Sequence, residues 1–283
     1  KTGKGKCVLY RPDMLDAESI HRQRVAELRQ AIASNQIVPY VQPVVSLADG
    51  HVVGLEILSR WEHPTRGLLP PSEFITLAEQ SAEISNLTLS VLRQACLQSL
   101  ALPLHVRLAI NAAAPQIEDT KLAEDLLSIL IETNFPRSRL EVELTENALV
   151  RDIDAARRTI AALRASGLSV ALDDFGTGYS SLAYLSELSF DRIKIDRSFV
   201  RSMHERPDSA KVVSAIVGLA KNLGAKITAE GVETTSDADA LAALGCDAAQ
   251  GFLYAKPMPI GDFDAWHKRH LKDVRAQPRL RLV

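Results

Sequence analysis

The stretch LSVALDD, residues 168–174, joins a short apolar run to two adjacent carboxylates at its end. An apolar run of this length is typical of a strand buried on both faces of a parallel sheet. Similar runs end in polar side chains at six further places: VVGLEILSR (52–60), VRLAIN (106–111), LEVELTE (140–146), RIKID (192–196), KITAEGVE (226–233) and CDAAQG (246–251). The sequence between them is mostly amphipathic and helical in pattern, which is the alternation of an α/β protein.

An eighth strand is predicted at VPYVQPVV, residues 38–45. Only five residues, SLADG, separate this strand from the next, and a parallel pair needs a crossover of about a dozen residues. We therefore expect the first two strands to form an antiparallel hairpin. The fold class predicted for the 283 residues is α/β, a TIM-like (β/α)8 barrel with an antiparallel first strand.

The helical patterns and the chain ends define the expected organisation. A connecting helix is predicted at 16–33, and further helices at 72–80, 83–100, 119–133, 152–166, 208–223, 235–244 and 261–270. We expect an upstream linker at 1–19, one barrel domain at 20–267 and a basic tail at 268–283. The tail lacks a clear apolar period and is expected to fray.

Composition excludes several classes of protein. The net charge of −2, with the 24% of charged residues spread along the chain, gives no basic stripe for long nucleic acid. No run approaches the roughly 18 apolar residues of a membrane span, so we expect a cytoplasmic location. Segments upstream of this chain could still anchor the full-length protein to a membrane. The three cysteines are widely spaced and predict reduced structural thiols.

The strand ends carry the candidate site. In parallel barrels the carboxyl ends of the strands open on one face, where active sites are assembled. We expect these side chains to converge there: Glu56, Asn111, Glu143, Asp173, Asp174, Lys194, Glu230 and Gln250. Adjacent aspartates repel unless a cation lies between them, and two divalent ions would relieve that repulsion. Oxygen ligands favour Mg²⁺ or Mn²⁺; a capping role for one aspartate is the alternative.

Strand parity assigns directions to the remaining candidates. In GLEILSRW (54–61), Glu56 and Arg60 share one face of the strand, whereas Ile57 faces the other way. Lys194 would face the barrel interior, where it could orient a water or stabilise phosphoryl charge; a structural ion pair is the alternative. Glu141 shares the parity of Glu143 and would lie one layer deeper, with no evident partner.

Together these motifs resemble the EAL-domain cyclic-di-GMP phosphodiesterases of bacterial signalling. The resemblance covers about residues 20–265 and is carried by EILSR, LAIN, ELTEN, LDDFGTGYSSL, IKIDRSFV, ITAEGVET and QGFLYAKP, in the order and spacing of the family. It implies a TIM-like barrel and hydrolysis of cyclic di-GMP to linear pGpG. It also implies a requirement for two Mg²⁺ or Mn²⁺ ions and inhibition by Ca²⁺.

The resemblance also implies residue roles. Glu56, Asn111, Glu143 and Asp173 would hold one ion, while Asp173 and Asp174 would hold the second, with Glu230 nearby. Lys194 and Glu230 would prepare the attacking water, and Glu56 completes the catalytic set. The positions that match substrate contacts are Gln42, Leu58, Arg60, Asp196, Gln250 and Phe252. Glu146 and Glu233 match residues that steady the mobile loop FGTGYSSL and the inner shell.

Two features go beyond the motifs. Ile57 replaces the alanine that gives the family its name, and its outward direction should change packing rather than catalysis. The opening KTGKGKCVLYRPDM resembles the end of a GGDEF domain, which implies a GGDEF–EAL tandem with an upstream regulatory domain. The family further implies a homodimer coupled to the loop and to the helix at 208–223.

Two alternative functions remain open at this point. A catalytically inactive EAL receptor would bind cyclic di-GMP without cleaving it, but such members usually lose metal ligands or the loop sequence. Here every matched ligand and Lys194 are present, which favours the enzyme. An unrelated metal-dependent barrel hydrolase is the third reading, and it would require that cyclic di-GMP fail to bind.

Overall fold

The computed structural model describes residues 12–176, 187–203 and 207–276. Its strands are β1 (Ile37–Ser46), β2 (Val52–His63), β3 (Gly67–Leu69), β4 (Arg107–Ala112), β5 (Leu140–Thr145), β6 (Ser169–Phe175), β7 (Arg192–Ile195), β8 (Lys226–Ala229), β9 (Ala248–Ala249) and β10 (Met258–Pro259). Its helices are α1 (Pro12–Ala33), α2 (Ile75–Gln80), α3 (Ile84–Gln98), α4 (Ala114–Ile117), α5 (Leu122–Glu132), α6 (Glu146–Arg151), α7 (Ile153–Ala165), α8 (Arg197–Ser202), α9 (Pro207–Asn222), α10 (Thr235–Leu244) and α11 (Ile260–Ala276). Short 3-10 helices lie at Pro71–Glu73 and Arg137–Arg139.

Eight of these strands close into a barrel. The closed order is β1, β2, β4, β5, β6, β7, β8 and β9, and β9 pairs back with β1. Neighbours from β2 to β9 are parallel in this order, whereas β1 is antiparallel to both β2 and β9. The predicted α/β barrel with an antiparallel first strand is therefore confirmed.

The barrel has an apolar wall and a polar interior at its upper end. Outward-facing strand residues such as Val142, Leu172 and Ile193 are completely buried under the helices. Ile57 follows the same rule, because it is 3% exposed and lines a cleft together with Ile84 and Leu87 of α3. The predicted direction of Ile57, away from Glu56 and toward the helix layer, is confirmed.

The predicted helices are present, except that 72–80 divides into the 3-10 helix Pro71–Glu73 and α2. Three short helices were not predicted. Helices α4, α6 and α8 begin directly after β4, β5 and β7 and span only four to six residues each. Such short helices contain too few turns to produce an apolar period that could be recognised. They matter because they lie at the mouth of the barrel.

The last helix is longer than predicted. Helix α11 continues to Ala276, so the first nine residues of the predicted tail, 268–276, are helical rather than frayed. Its histidines pack as aromatic rings: His270 stacks on Trp266 with centroids 4.8 Å apart, and a ring nitrogen of His270 bonds the carbonyl oxygen of Gly50. The sequence pattern did not predict this packing, because histidine was counted as a polar residue.

Two further expectations concern cysteines and membranes. Cys96 and Cys246 are free thiols that are buried, as predicted, and burial raises the pKa of each to about 12. Cys7 lies outside the described residues. Among the helices that the structure describes, none has the length and apolarity needed to cross a membrane.

Gly251 generates a prediction about barrel closure. A Cβ at this position would lie 2.1 Å from the carbonyl oxygen and 2.3 Å from the amide nitrogen of Val232, and both are backbone atoms that cannot move aside easily. We expect Gly251→Ala to lower the free energy of unfolding by about 2–3 kcal/mol. Gly218→Ala on α9 is the matched control: a Cβ there meets nothing within 4 Å, so this substitution should stabilise by about 0.5–1 kcal/mol. Equal stabilities of the two variants in urea unfolding would contradict this account.

Candidate metal and catalytic site

The side chain of Lys194 lies at the centre of the predicted cluster. Its Nζ is 2.6 Å from Glu230 Oε1, 2.7 Å from Glu143 Oε2, 3.3 Å from Asp173 Oδ1 and 3.6 Å from Glu56 Oε2. Lys194 itself is only 1% exposed. The structure therefore brings four carboxylates from four parts of the chain to one buried ammonium group.

Strand register explains why these groups meet. Asn111 on β4 pairs with Glu143 on β5, so two predicted ligands lie side by side at the same height of the barrel. Lys194 pairs with Thr228 on β8, two residues before Glu230, and the amide of Glu230 donates to the carbonyl oxygen of Ile195. Each side chain therefore emerges at the carboxyl end of its strand and points toward the barrel axis.

Amide side chains fix Glu56 from both sides. Asn111 Nδ2 donates to Glu56 Oε1 at 3.0 Å, and Gln250 Nε2 donates to Glu56 Oε2. Gln250 Nε2 also donates to Gln42 Oε1 at 3.0 Å, while Gln42 Nε2 donates to the carbonyl oxygen of Ala255. Gln250 Oε1 is buried and receives no hydrogen bond from the part of the chain that the structure describes. An orphaned buried oxygen next to the cluster is available to a bound group.

The two adjacent aspartates occupy an irregular strand end. The pairing of β6 with β7 shifts register between Leu172 and Phe175, and Asp174 has a φ of 54° in the left-handed region. The amide of Asp174 donates to Asp173 Oδ1 at 2.9 Å. This backbone turn is unusual for a residue other than glycine, and it is typical of functional sites. It directs both carboxylates toward Glu230, and ligand oxygens of the three residues lie within 4.8 Å of one another.

Burial, together with neighbouring negative charge, raises the pKa values of two carboxyl groups at the edge of the cluster. Burial, opposed by Lys194 and reinforced by Asp173 and Glu56, raises the pKa of Glu230 to about 8. Burial and the charge of Asp173 raise the pKa of Asp174 to about 6.

Glu143 and Lys194 form the most deeply buried ion pair of the cluster. Burial raises the pKa of Glu143 well above its ordinary value despite the nearby ammonium group. Burial lowers the pKa of Lys194, but the surrounding carboxylates outweigh it, so the net pKa lies well above the ordinary value. The ammonium group therefore stays charged, while the raised pKa values of Glu143 and Glu230 mean that these two carboxyl groups lose their protons only at a higher pH than usual.

The donor set fits a hard divalent cation. The cluster offers five carboxylates and the amide oxygen of Asn111 against a single lysine: Glu56, Glu143, Asp173, Asp174 and Glu230. Oxygen-only ligands of this kind suit Mg²⁺ or Mn²⁺, and a cation would relieve the repulsion that holds protons on the acids. The site can therefore hold a metal.

The two residues expected to steady the loop and inner shell differ in position. Glu146, 1% exposed at the start of α6, accepts a hydrogen bond from the amide of Gly176 at 2.7 Å. It therefore contacts the beginning of the predicted mobile loop; residues 177–182 of that loop lie outside the described residues. Glu233 lies away from the cluster, where its half-exposed carboxylate pairs with Arg201 of α8 at 2.6 Å.

The remaining predicted contacts surround the mouth. The Arg60 guanidinium lies 5.6 Å from the centre of the Tyr40 ring, and burial lowers its pKa. Asp196 caps α8 by accepting from the amide of Ser198 at 3.0 Å. Phe252 is 57% exposed, with Lys256 Nζ 5.6 Å from its ring centre. It is therefore a surface aromatic, not a core residue.

Leu58 borders an apolar cleft beside the cluster. The cleft has a volume of about 520 Å³, and Asn111 is one of the residues that line it. Further lining residues lie on β2, β4, α2 and α3. Sequence reasoning did not predict this cleft, because helices α2 and α4 that complete it are short and separated from Leu58 along the chain.

The sequence analysis also missed the partner of Glu141. Arg192 Nε lies 3.0 and 3.2 Å from the two carboxylate oxygens of Glu141. The signal was present in RIKID, since Arg192 precedes Lys194 by two residues and shares its strand parity.

Comparison with known proteins identifies the family. The profile of the EAL domain matches residues 25–257. The chain is 39% identical over 274 residues to the cyclic di-GMP phosphodiesterase PdeR of Escherichia coli, covering 95% of this chain and 41% of PdeR. It is 38% identical over 283 residues to the cyclic di-GMP phosphodiesterase NbdA of Pseudomonas aeruginosa, covering 99% of this chain and 36% of NbdA. The chain thus spans about two fifths of the length of these curated relatives.

Solved structures agree with this assignment. The structure of the PaMucR phosphodiesterase in complex with c-di-GMP matches with a TM-score of 0.81 and 39% sequence identity. The match covers 85% of this chain and 99% of that chain. The family profile, the curated relatives and the shared barrel all lead to one conclusion: the chain belongs to the EAL domain family.

Proposed function

We propose that this chain hydrolyses the second messenger cyclic di-GMP to linear pGpG. The observation that supports this most strongly is the set of carboxylates that meets at Lys194 in a chain of the EAL family. Two relatives that align over nearly the whole chain are named cyclic di-GMP phosphodiesterases. A site that merely bound an anion would be expected to present positive charge, whereas this one concentrates negative charge suited to cations.

Two Mg²⁺ or Mn²⁺ ions are the proposed cofactors. Glu56, Asn111, Glu143 and Asp173 would hold one ion, and Asp173, Asp174 and Glu230 would hold the second. When bound, the ions supply Lewis acidity and a water of lowered pKa. We expect Ca²⁺ to inhibit, because it prefers more ligands at longer distances than a site built for Mg²⁺.

The chain's own groups would perform the proton transfer. Glu230 Oε1 lies 2.6 Å from the Lys194 ammonium, which holds this carboxylate in place. The Glu230 carboxylate, held by Lys194, would accept the proton of an attacking water. The attack breaks the bond between phosphorus and the 3′ oxygen, which leaves on the opposite side.

Other residues would orient the substrate. Arg60 would neutralise a phosphate oxygen, and the Tyr40 ring, whose centre lies 5.6 Å from the guanidinium, would restrain it. Leu58 would offer an apolar contact to the substrate beside Asn111. Gln42, Gln250, Asp196 and Phe252 complete the proposed substrate contacts, and the exposed ring of Phe252 offers a stacking surface.

The domain organisation, the oligomeric state and the location of the protein are also proposals. Residues 20–267 would form the catalytic domain of a longer protein, with residues 1–19 as the end of an upstream regulatory segment of the GGDEF type and residues 268–283 as a basic tail. Glu146 would couple the mobile loop to a homodimer that forms through α9, since its carboxylate holds the amide of Gly176. We expect the domain to act in the cytoplasm, where a second messenger is degraded.

Substitution of Glu56 tests the proposed activity. Glu56→Ala should lower kcat by about 1000-fold, because the loss of a ligand removes several kcal/mol of transition-state stabilisation. Ile57→Ala is the matched control one residue away: it should keep kcat within about fivefold while it lowers stability by about 2–4 kcal/mol. Release of pGpG is measured by chromatography. If the wild-type protein bound cyclic di-GMP tightly without cleaving it, the domain would be a receptor.

The pH dependence of stability tests the charge distribution. Asp174 and Glu230 have pKa values raised to about 6 and about 8, so the folded, metal-free protein binds more protons than the unfolded chain between about pH 4 and pH 8. The Tm of metal-free protein should therefore fall as pH rises through this window. Added Mn²⁺ should raise the Tm more at pH 8 than at pH 5, because protons compete for the same oxygens.

A charge-free variant isolates the cause of this pH effect. Glu230→Gln retains the shape of the side chain but cannot titrate, so its Tm should fall less steeply with pH than that of the wild type. Differential scanning calorimetry in a chelating buffer provides the comparison. Identical pH profiles for the variant and the wild type would show that Glu230 has an ordinary pKa.

A further inference from the structure

A second buried ion pair lies directly beneath the acidic site. The Arg192 guanidinium contacts both carboxylate oxygens of Glu141, and Arg192 Nη1 donates to Thr228 Oγ1 at 2.9 Å. The side chains of Arg192 and Glu141 are only 15% and 6% exposed. An ion pair at this depth contributes little net stability compared with apolar residues of similar volume, so its presence calls for a functional explanation.

The members of the two ion pairs are offset by two residues along each strand, and their side-chain contacts define two layers. Glu141 and Glu143 are two residues apart on β5, and Arg192 and Lys194 are two residues apart on β7. Strand β6 lies between, and its Ala171 pairs in register with both Glu143 and Arg192. Because alanine is small, the side chains of β5 and β7 meet across it. Glu141 with Arg192 forms the lower layer, and Glu143 with Lys194 forms the upper layer.

Little material separates the two layers. A cavity of about 10 Å³ is bordered by Glu141, Glu143, Arg192, Lys194 and Thr228. Branched apolar side chains normally fill this part of a TIM barrel. Here the inward positions are small: Gly54, Ala109, Ala171 and Ala248. Charges in one layer therefore act on the other across a poorly screened interior.

In this arrangement the Lys194 ammonium could pair with Glu143 in the upper layer or with Glu141 in the lower layer. The Lys194 ammonium group is a compact charge on a flexible stem, whereas the planar guanidinium of Arg192 is held by two partners, with Nε shared between both oxygens of Glu141 and Nη1 bonded to Thr228. As long as Arg192 satisfies Glu141, the lower carboxylate has no uncompensated charge to attract Lys194. Without Arg192, the buried Glu141 carboxylate would retain only the more distant and half-exposed Arg107 among the basic residues that the structure places in contact with it, with Arg107 Nη1 4.0 Å from Glu141 Oε2.

We propose that Arg192 is a positioning residue that neutralises Glu141 and thereby keeps the Lys194 ammonium in the upper layer, beside Glu143 and Glu230. The inference rests on the proposed function for its catalytic consequence, but the location of Lys194 can be tested separately. It assigns a role to a pair that lies outside the proposed metal and substrate contacts.

Three variants test the proposal. Arg192→Met removes the nearest cation of Glu141 and leaves the more distant Arg107, and Arg192→Gln does the same while retaining a hydrogen-bond donor in case the methionine variant folds poorly. The double variant Glu141→Met with Arg192→Met removes both charges and replaces the pair with apolar side chains. Arg139→Met is the control for loss of a buried arginine, since Arg139 is 5% exposed and donates to the carbonyl oxygen of Val106.

The expected results separate positioning from general damage. Either single substitution of Arg192 should lower kcat by about 30-fold or more with KM within about threefold, because Lys194 moves down toward Glu141. Mn²⁺ affinity in calorimetric titration should rise at least about threefold, because the ammonium no longer competes for the upper carboxylates. The double variant should recover kcat to within about fivefold and Mn²⁺ affinity to within about twofold of the wild type. Arg139→Met should lower only the Tm.

Three results would overturn the proposal. One is a folded single variant with wild-type kcat and Mn²⁺ affinity, and another is a folded double variant as slow as the single variants. If the wild-type protein does not cleave cyclic di-GMP, the proposed function fails, but the Mn²⁺ titrations still show whether Lys194 leaves the upper layer. Weaker Mn²⁺ binding in both single variants would also count against the proposal, since it indicates damage to the site rather than movement of the lysine.

Discussion

The attraction between one buried ammonium group and the carboxylates around it is the interaction on which the site depends. Glu143 and Glu230 lie within 2.7 Å of Lys194 Nζ, and Asp173 and Glu56 lie within 3.6 Å. In a barrel interior with little water, this attraction is strong, but so is the repulsion among the acids. One lysine does not balance five carboxylates, and burial together with this repulsion raises the pKa values of Glu143, Asp174 and Glu230. A bound cation would therefore reduce the repulsion among these carboxylates.

The antiparallel first strand contributes to this site through its register. Gln42 on β1 is opposite Glu56 on β2, and β1 also pairs with β9, so Gln42 and Gln250 meet. Their amides and Asn111 hold Glu56 in a fixed orientation. Closure of the barrel and orientation of a proposed ligand therefore follow from the same strand, while Gly251 permits the close approach of the chain to Val232.

The sequence predicted the parts of the fold that depend on periodicity. The strands, the long helices and the convergence of Glu56, Glu143, Asp173 and Lys194 followed from apolar runs that end in polar residues. Helices α4, α6 and α8 did not, because they are too short to show a period. The pairing of Glu141 with Arg192 and the cleft beside Leu58 depend on contacts between distant segments. Strand parity gives the direction of a side chain, but only the closed barrel reveals which side chain lies opposite.

We propose that this cluster is a site for two divalent cations, and anomalous diffraction from crystals soaked in Mn²⁺ would locate them. Two peaks about 3.5–4 Å apart are expected, with Asp173 as a ligand to both ions. One peak should have Glu56, Asn111 and Glu143 as further ligands, and the other should have Asp174 and Glu230. Peaks only at other positions, or none within coordination distance of Asp173 at saturating Mn²⁺, would contradict it.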